Sequence, residues 1–131
     1  MKKVFLLLGL VSFVTMSFVA SSESEKVEDV IVLEDDNVPS EVKKVIENKC
    51  YGCHNSESKN EKGRKKLSFD KMSSYSTAKQ IAKYEGIFEV VEEGKMPPKK
   101  FLKKYPGKAL SAEETKSLIT WANSEAEKLM N

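Results

Sequence analysis

The apolar positions change rhythm several times along the chain. Val4 to Val19 is a near-continuous apolar run, broken only by Gly9, Ser12, Thr15 and Ser17. From Val42 the spacing becomes helical: Val42, Val45 and Ile46 share a face with Lys49, and Cys50 lies one turn beyond Ile46. Pro39 suits the first turn of that helix, where a missing N–H costs nothing. Ile81, Tyr84, Phe88 and Val91 recur at intervals of three and four and predict a second clear helix. Thr77 and Gln80 fit a capping box at its start. Gly94 stands where a left-handed cap would end it, and Pro97-Pro98 forbids continuation. A last helix begins at Ser111, with Glu114 at the capping-box position and Leu118, Ile119, Trp121, Ala122 and Leu129 on its buried side.

Between these elements, Asn55–Lys66 is polar and lysine-rich and reads as a loop. Leu67–Met72 predicts a short helix capped by Ser68. No segment alternates long enough for a strand. The expectation is an all-α domain over 38–131 with about four short helices, the helices from Val38 and from Ser111 packing on each other. A core of that size is marginal and gains from a covalent cofactor.

The N-terminal run changes the setting. Lys2 and Lys3 precede it and the small residues Ala20, Ser21 and Ser22 follow, the layout of a secretory signal peptide over 1–21 with cleavage near 20–22. The alternative is an uncleaved membrane anchor, for which the run is slightly short. Without Lys2 and Lys3 the chain carries 20 basic and 20 acidic residues. Seven of the acidic ones, against Lys26 alone, fall between Glu23 and Asp36, so 22–37 reads as an acidic tether. Export into the periplasm takes the thiols out of a reducing compartment.

Both cysteines and the one histidine of the chain fall within Cys50-Tyr51-Gly52-Cys53-His54. A thioredoxin-like pair would sit in a βαβ context, whereas a helix runs into this one. A structural zinc site needs a fourth ligand, and no further Cys or His exists. Covalent haem needs this set at this spacing. Two thiols add across two vinyl groups, and the histidine directly after the second becomes the proximal iron ligand.

The distal ligand then decides the chemistry. A second histidine is ruled out by count. Of the methionines beyond the signal segment, Met130 is penultimate and Met72 sits on the short helix, where a core role is simpler. Met96 follows a helix stop on a loop stiffened by Pro97-Pro98 and is the expected ligand, with Lys95 the runner-up.

These residues carry a resemblance. Val38–Lys49, CYGCH at 50–54, GRKKLSF at 63–69, EEGKMPPKKF at 92–101 and ALSAEETKSLITWA at 109–122 resemble the small bacterial haem-binding domain family related to cytochrome c. The resemblance implies a cytochrome c-like fold around one covalent haem c, with His54 and Met96 on the iron and Cys50 and Cys53 in thioethers. One departure is that Asn55–Lys62 is short and lacks the aromatic, proline-rich insertion such domains usually carry.

The expected function is electron transfer by an exported monohaem c-type cytochrome, an electron carrier rather than an enzyme. A haem peroxidase or a gas sensor with an open or displaceable sixth ligand is the alternative, and a thiol redox protein the non-haem one. Lys95, Lys99, Lys100, Lys103, Lys104 and Lys108 flank the methionine loop and suit an acidic redox partner, although an ordinary solvated lysine face reads equally well from charge alone. Nucleic acid is not expected as a partner, because the lysines are balanced by glutamates without an aromatic-basic stripe. A membrane enters only if the N-terminal segment stays uncleaved, and a monomer is expected.

Overall fold

The structure, a computed structural model, describes residues 38–131. The expected signal segment and the whole acidic tether lie outside these residues. Five α-helices occur among them: α1 (Ser40–Val45), α2 (Glu61–Lys66), α3 (Thr77–Glu92), α4 (Lys99–Lys104) and α5 (Ala112–Met130). Short 3₁₀ turns cover Phe69–Ser74 and Pro106–Lys108, and the described residues contain no strand. The all-α class expected from periodicity holds. None of these helices is long and apolar enough to cross a membrane.

The helical coiling does not stop with α1. The chain continues as a π-helical turn over Ile46–Cys50, closed by Tyr51 N–H donating to the Ile46 carbonyl at 2.7 Å. Pro39 stands at the N-cap, just ahead of the first turn. Val42 and Ile46 are essentially inaccessible, so the stripe read from the sequence is the buried one and leads to Cys50. Burying each such side chain contributes about 1.5–3 kcal/mol.

The centre of the core is the packing of α3 on α5, the two long helices of 16 and 19 residues. Tyr84 and Trp121 meet edge-to-face at 5.4 Å and 87°. Leu118 and Ala122 complete the buried face of α5, with Ala126 one turn on. The expected packing of the first helix on the last is present, but it is not the main one. α3 is the main partner of α5, because a 16-residue helix offers a longer apolar stripe than α1. The lengths of α3 and α5 correct the expectation that all the helices are short.

Several local expectations change. Asn55–Lys66 is not all loop, because α2 forms in its second half. Asn60 caps that helix by accepting from the Gly63 N–H at 3.0 Å. α2 has only Gly63 buried, so it left no apolar period to read. Ser68 does not cap the next turn; its hydroxyl donates back to the Arg64 carbonyl at 3.0 Å. The Thr77–Gln80 box is absent. Ser76 is the N-cap without a side-chain bond, and the Gln80 amide reaches back to the Tyr75 carbonyl. Ile87 rather than Phe88 is fully buried on α3.

Two caps stand as expected. Gly94 has φ +62°, its N–H bonds to the Val91 carbonyl and Lys95 N–H to the Val90 carbonyl, closing α3 in a Schellman motif. At α5, Ser111 Oγ accepts from Glu114 N–H and Glu114 Oε2 accepts from Ser111 N–H, a complete capping box.

Candidate functional site

Cys50 ends the π turn, and the chain then coils tightly. Cys53 N–H bonds to the Cys50 carbonyl at 3.0 Å, and His54 N–H lies 3.1 Å from both the Cys50 and Tyr51 carbonyls. The sequence-predicted trio Cys50, Cys53 and His54 is thereby held on one turn at the end of α1. Both cysteines are free thiols and half-buried. Cys50 packs against the core. Burial, the largest influence, pushes its thiol up to about 11 despite the neighbouring Lys49 charge. Its sulfur is therefore a protonated, uncharged group in an apolar setting.

The residues beneath this turn come from α2. The His54 Nδ1 lies 3.1 Å from the Gly63 carbonyl and 3.3 Å from the Leu67 carbonyl. A carbonyl can only accept, so these partners assign the ring proton to Nδ1 and leave the Nε2 lone pair for a ligand. This is the usual orientation of a metal-binding imidazole, whose second nitrogen donates to a backbone carbonyl. The main chain of His54 is fixed as well, since Phe69 N–H donates to its carbonyl at 3.0 Å. The Phe69 ring stands edge-on to the imidazole at 6.4 Å.

Gly63 is needed for a close approach. A Cβ at this position would lie 2.5 Å from the Cys53 carbonyl oxygen and 3.2 Å from its carbon. A methyl group does not fit between α2 and the cysteine turn. Arg64 secures the same platform by donating to the Ser58 carbonyl at 3.0 Å, and Ser58 Oγ donates to the Gly52 carbonyl at 2.9 Å. Ser56 bonds to the Asp70 carboxylate through its N–H at 3.0 Å and also through its hydroxyl. The polar segment that read as an open loop is a hydrogen-bonded seat for the cysteine turn. The sequence signal that could have found it was Asn60 three residues before Gly63, a capping pair without an apolar run behind it.

Met96 lies on the connection between α3 and α4. Its N–H lies 3.2 Å from the Val90 carbonyl, which also accepts from Lys95 at 2.9 Å, and Pro97 beyond it is buried behind a cis Met96–Pro97 peptide bond. The loop is thus anchored on both sides, while the Met96 side chain is 38 % exposed. Met72 is in the core, as expected, and Met130 is exposed at the end of α5. The Lys95 ammonium is paired with Glu93, and that bond holds its pKa above the usual lysine value.

The donor set decides which group these residues fit. Among the described residues no three His, Cys, Asp or Glu side chains converge as a metal cluster would require. Two thiols one turn apart, followed by an imidazole with Nε2 available, fit a haem held by thioethers and one axial nitrogen. Comparison with curated proteins and with solved structures returns no match. A family model for the haem-binding domain matches residues 57–124, beginning three residues after His54 and taking in α2, the Met96 loop and Trp121. That match spans more than half of the 131 residues, so the chain belongs to the haem-binding domain family.

Proposed function

We propose that the protein is an exported monohaem c-type cytochrome that carries electrons. Cys50 and Cys53 would hold the haem in thioethers, and His54 Nε2 and the Met96 thioether would be the side chains offered to its iron. Bound haem supplies an iron that cycles between two oxidation states. The observation that carries this reading is His54 Nδ1 engaged by the Gly63 and Leu67 carbonyls, with Nε2 left available one turn from two thiols, in a chain of a haem-binding family.

The protein's own groups do the rest. The two backbone carbonyls keep the imidazole in one tautomer and one orientation, which makes it a stronger donor. The Schellman turn at Gly94 and the buried Pro97 restrict the loop on which Met96 offers its thioether. A thioether from Met96 would favour the reduced state relative to a second imidazole and so raise the potential. It also fills the position that peroxide or a gas would need, which favours an electron carrier over a peroxidase or gas sensor.

The partner we propose is an acidic redox protein. Lys95, Lys99, Lys100, Lys103, Lys104 and Lys108 are all exposed on the segment following α3. A cleft of about 600 Å³ beside α4 is lined by Lys44, Asn48, Lys104, Tyr105, Lys108 and the paired Lys49 and Glu114. Tyr105, nearly half exposed and tilted at 41° against Phe101 with ring centroids 4.9 Å apart, adds an aromatic contact to the basic rim. The apolar N-terminal segment and the need to attach haem outside the reducing cytoplasm support export.

The test is protein matured in a host with export and haem-attachment machinery. It should keep its haem through a denaturing gel, and its reduced visible spectrum should not change on adding carbon monoxide. A haem-free band overturns the covalent reading. Rapid carbon monoxide binding by the unaltered protein replaces the electron carrier with an open-site sensor or enzyme.

A further inference from the structure

The imidazole of His54 is the last member of a hydrogen-bonded chain that starts on α3. Lys83 reaches from α3 to the C-terminal end of α2, where its ammonium donates to the Lys66 carbonyl. Lys66 C=O and Leu67 N–H are the two ends of one peptide unit. That N–H donates to the Gly63 carbonyl at 2.9 Å. The same carbonyl lies 3.1 Å from His54 Nδ1. The Gly63 oxygen therefore accepts twice, once from the peptide that Lys83 grips and once from the imidazole.

Lys83 is half-buried, and no carboxylate among the described residues pairs with it. Burial, and after it the neighbouring Lys79 and Lys66 charges, hold its pKa below the usual lysine value. Lys79, one turn earlier on α3, stands over the Tyr75 ring at 3.9 Å. An ammonium on a carbonyl polarises the whole peptide unit, and hydrogen bonds in series strengthen one another. Leu67 N–H becomes the better donor. The Gly63 oxygen, committed to it, becomes the weaker acceptor for His54 Nδ1–H. The ring then keeps more of its proton and is less anionic. A less anionic imidazole stabilises oxidised iron less. A positive charge nearby acts in the same direction, so both effects favour the reduced state.

We infer that Lys83 is a positioning residue for the proximal ligand: through the Lys66–Leu67 peptide it moderates the bond between the Gly63 carbonyl and His54 Nδ1, and so raises the reduction potential of the bound haem. This rests on the reading of His54 as an axial ligand, and it concerns the folded protein with haem already attached. α3 then serves both sides of the site. Lys83 on its first half steadies the seat of His54, and its other end closes at Gly94, two residues before Met96.

Two readouts on the haem-loaded protein test this. One is the midpoint of a spectroelectrochemical titration at neutral pH. The other is the isotope-edited proton signal of His54 Nδ1–H in the reduced, diamagnetic state. Lys83→Met should shift the reduction equilibrium toward the oxidised form about three-fold or more at a fixed applied potential. The Nδ1 proton should move downfield as its bond to Gly63 tightens. Lys83→Arg keeps the charge and the donors and should restore both readouts. Lys79→Met removes a neighbouring charge without touching the peptide. It should shift the midpoint less and leave the Nδ1 proton in place. If Lys83→Met does not fold, Lys83→Gln, polar and uncharged, carries the same test. An unchanged midpoint or an unmoved Nδ1 proton in the uncharged variant overturns the inference. So does an equal fall in Lys79→Met, which would trace the effect to net charge alone. Unaltered protein that lacks covalent haem, or that binds carbon monoxide rapidly, overturns the proposed function instead, so the two failures are distinct.

Discussion

The carbonyl oxygen of Gly63 lies 3.1 Å from the Nδ1 of His54, and a Cβ on the same glycine would lie 2.5 Å from the carbonyl oxygen of Cys53. One residue thus sets both the proton position on the imidazole and the closeness of α2 to the cysteine turn. Without the close approach the bond to the imidazole would be lost.

Gly63→Ala tests that relationship. On an open helix position alanine would be better than glycine by about 0.5–1 kcal/mol. Here the added methyl meets backbone, which cannot swing aside, so the clash outweighs the propensity gain. The expected result is a net loss of about 1–3 kcal/mol in denaturant unfolding. The haem-loaded fraction should fall with it. Equal or greater stability would show that the turn shifts freely.

Glu114 gives stability a pH dependence. The hydrogen bond from Lys49 is the main cause that lowers its pKa from the ordinary value near 4.5, with Ser111 N–H next. A carboxyl that binds its proton more weakly when folded contributes stability above its unfolded value and loses it as pH falls through the lowered folded one. Unfolding midpoints of the unaltered protein and Glu114→Gln should therefore differ at pH 7 and converge as the pH falls below 4.5 and through the lowered folded value. A gap that stays constant down to that pH would exclude the ion pair as its source.

The methionines should separate cleanly. Met96→Ala should remove the weak near-infrared sulfur-to-iron band of the oxidised protein and open the reduced protein to carbon monoxide, with covalent haem retained. Met72, 9 % exposed in the core, should behave oppositely. Met72→Ala should keep the band and cost about 2–5 kcal/mol of stability. Loss of the band in Met72→Ala with retention in Met96→Ala would move the distal ligand to the Phe69–Ser74 turn.

Trp121 is buried, yet its Nε1–H has no acceptor among the described residues. Trp121→Phe removes that unpaired donor and keeps an aromatic edge against Tyr84, so it should cost less than about 1.5 kcal/mol. Trp121→Ala should cost about 3–5 kcal/mol. Equal losses in the two variants would mean that the indole N–H contributes to folding. Under the covalent-haem reading, tryptophan emission should be quenched in the loaded protein and recover on unfolding.

The sequence by itself determined the elements whose burial is local and periodic. Val42 and Ile46, Tyr84 and Val91, and Leu118, Trp121 and Ala122 mark their helix faces because 3.6-residue spacing puts them on one side of a helix. The Ser111–Glu114 box and the Gly94 cap were legible because their partners lie within a few residues. The chemistry of the cysteine turn was legible for the same reason: all its donors fall within five positions. Only the tertiary structure decided what holds those donors. α2 buries nothing but Gly63 and owes its place to hydrogen bonds with the turn above it, which no periodicity records. The π register before Cys50 is fixed by Lys49 and Lys108 contacts spanning 60 to 65 residues, and α3 took α5 as its partner because the two longest stripes bury the most area on each other. Contacts between residues far apart in the chain depend on how whole faces pack, and the spacing of residues within one helix carries no record of that.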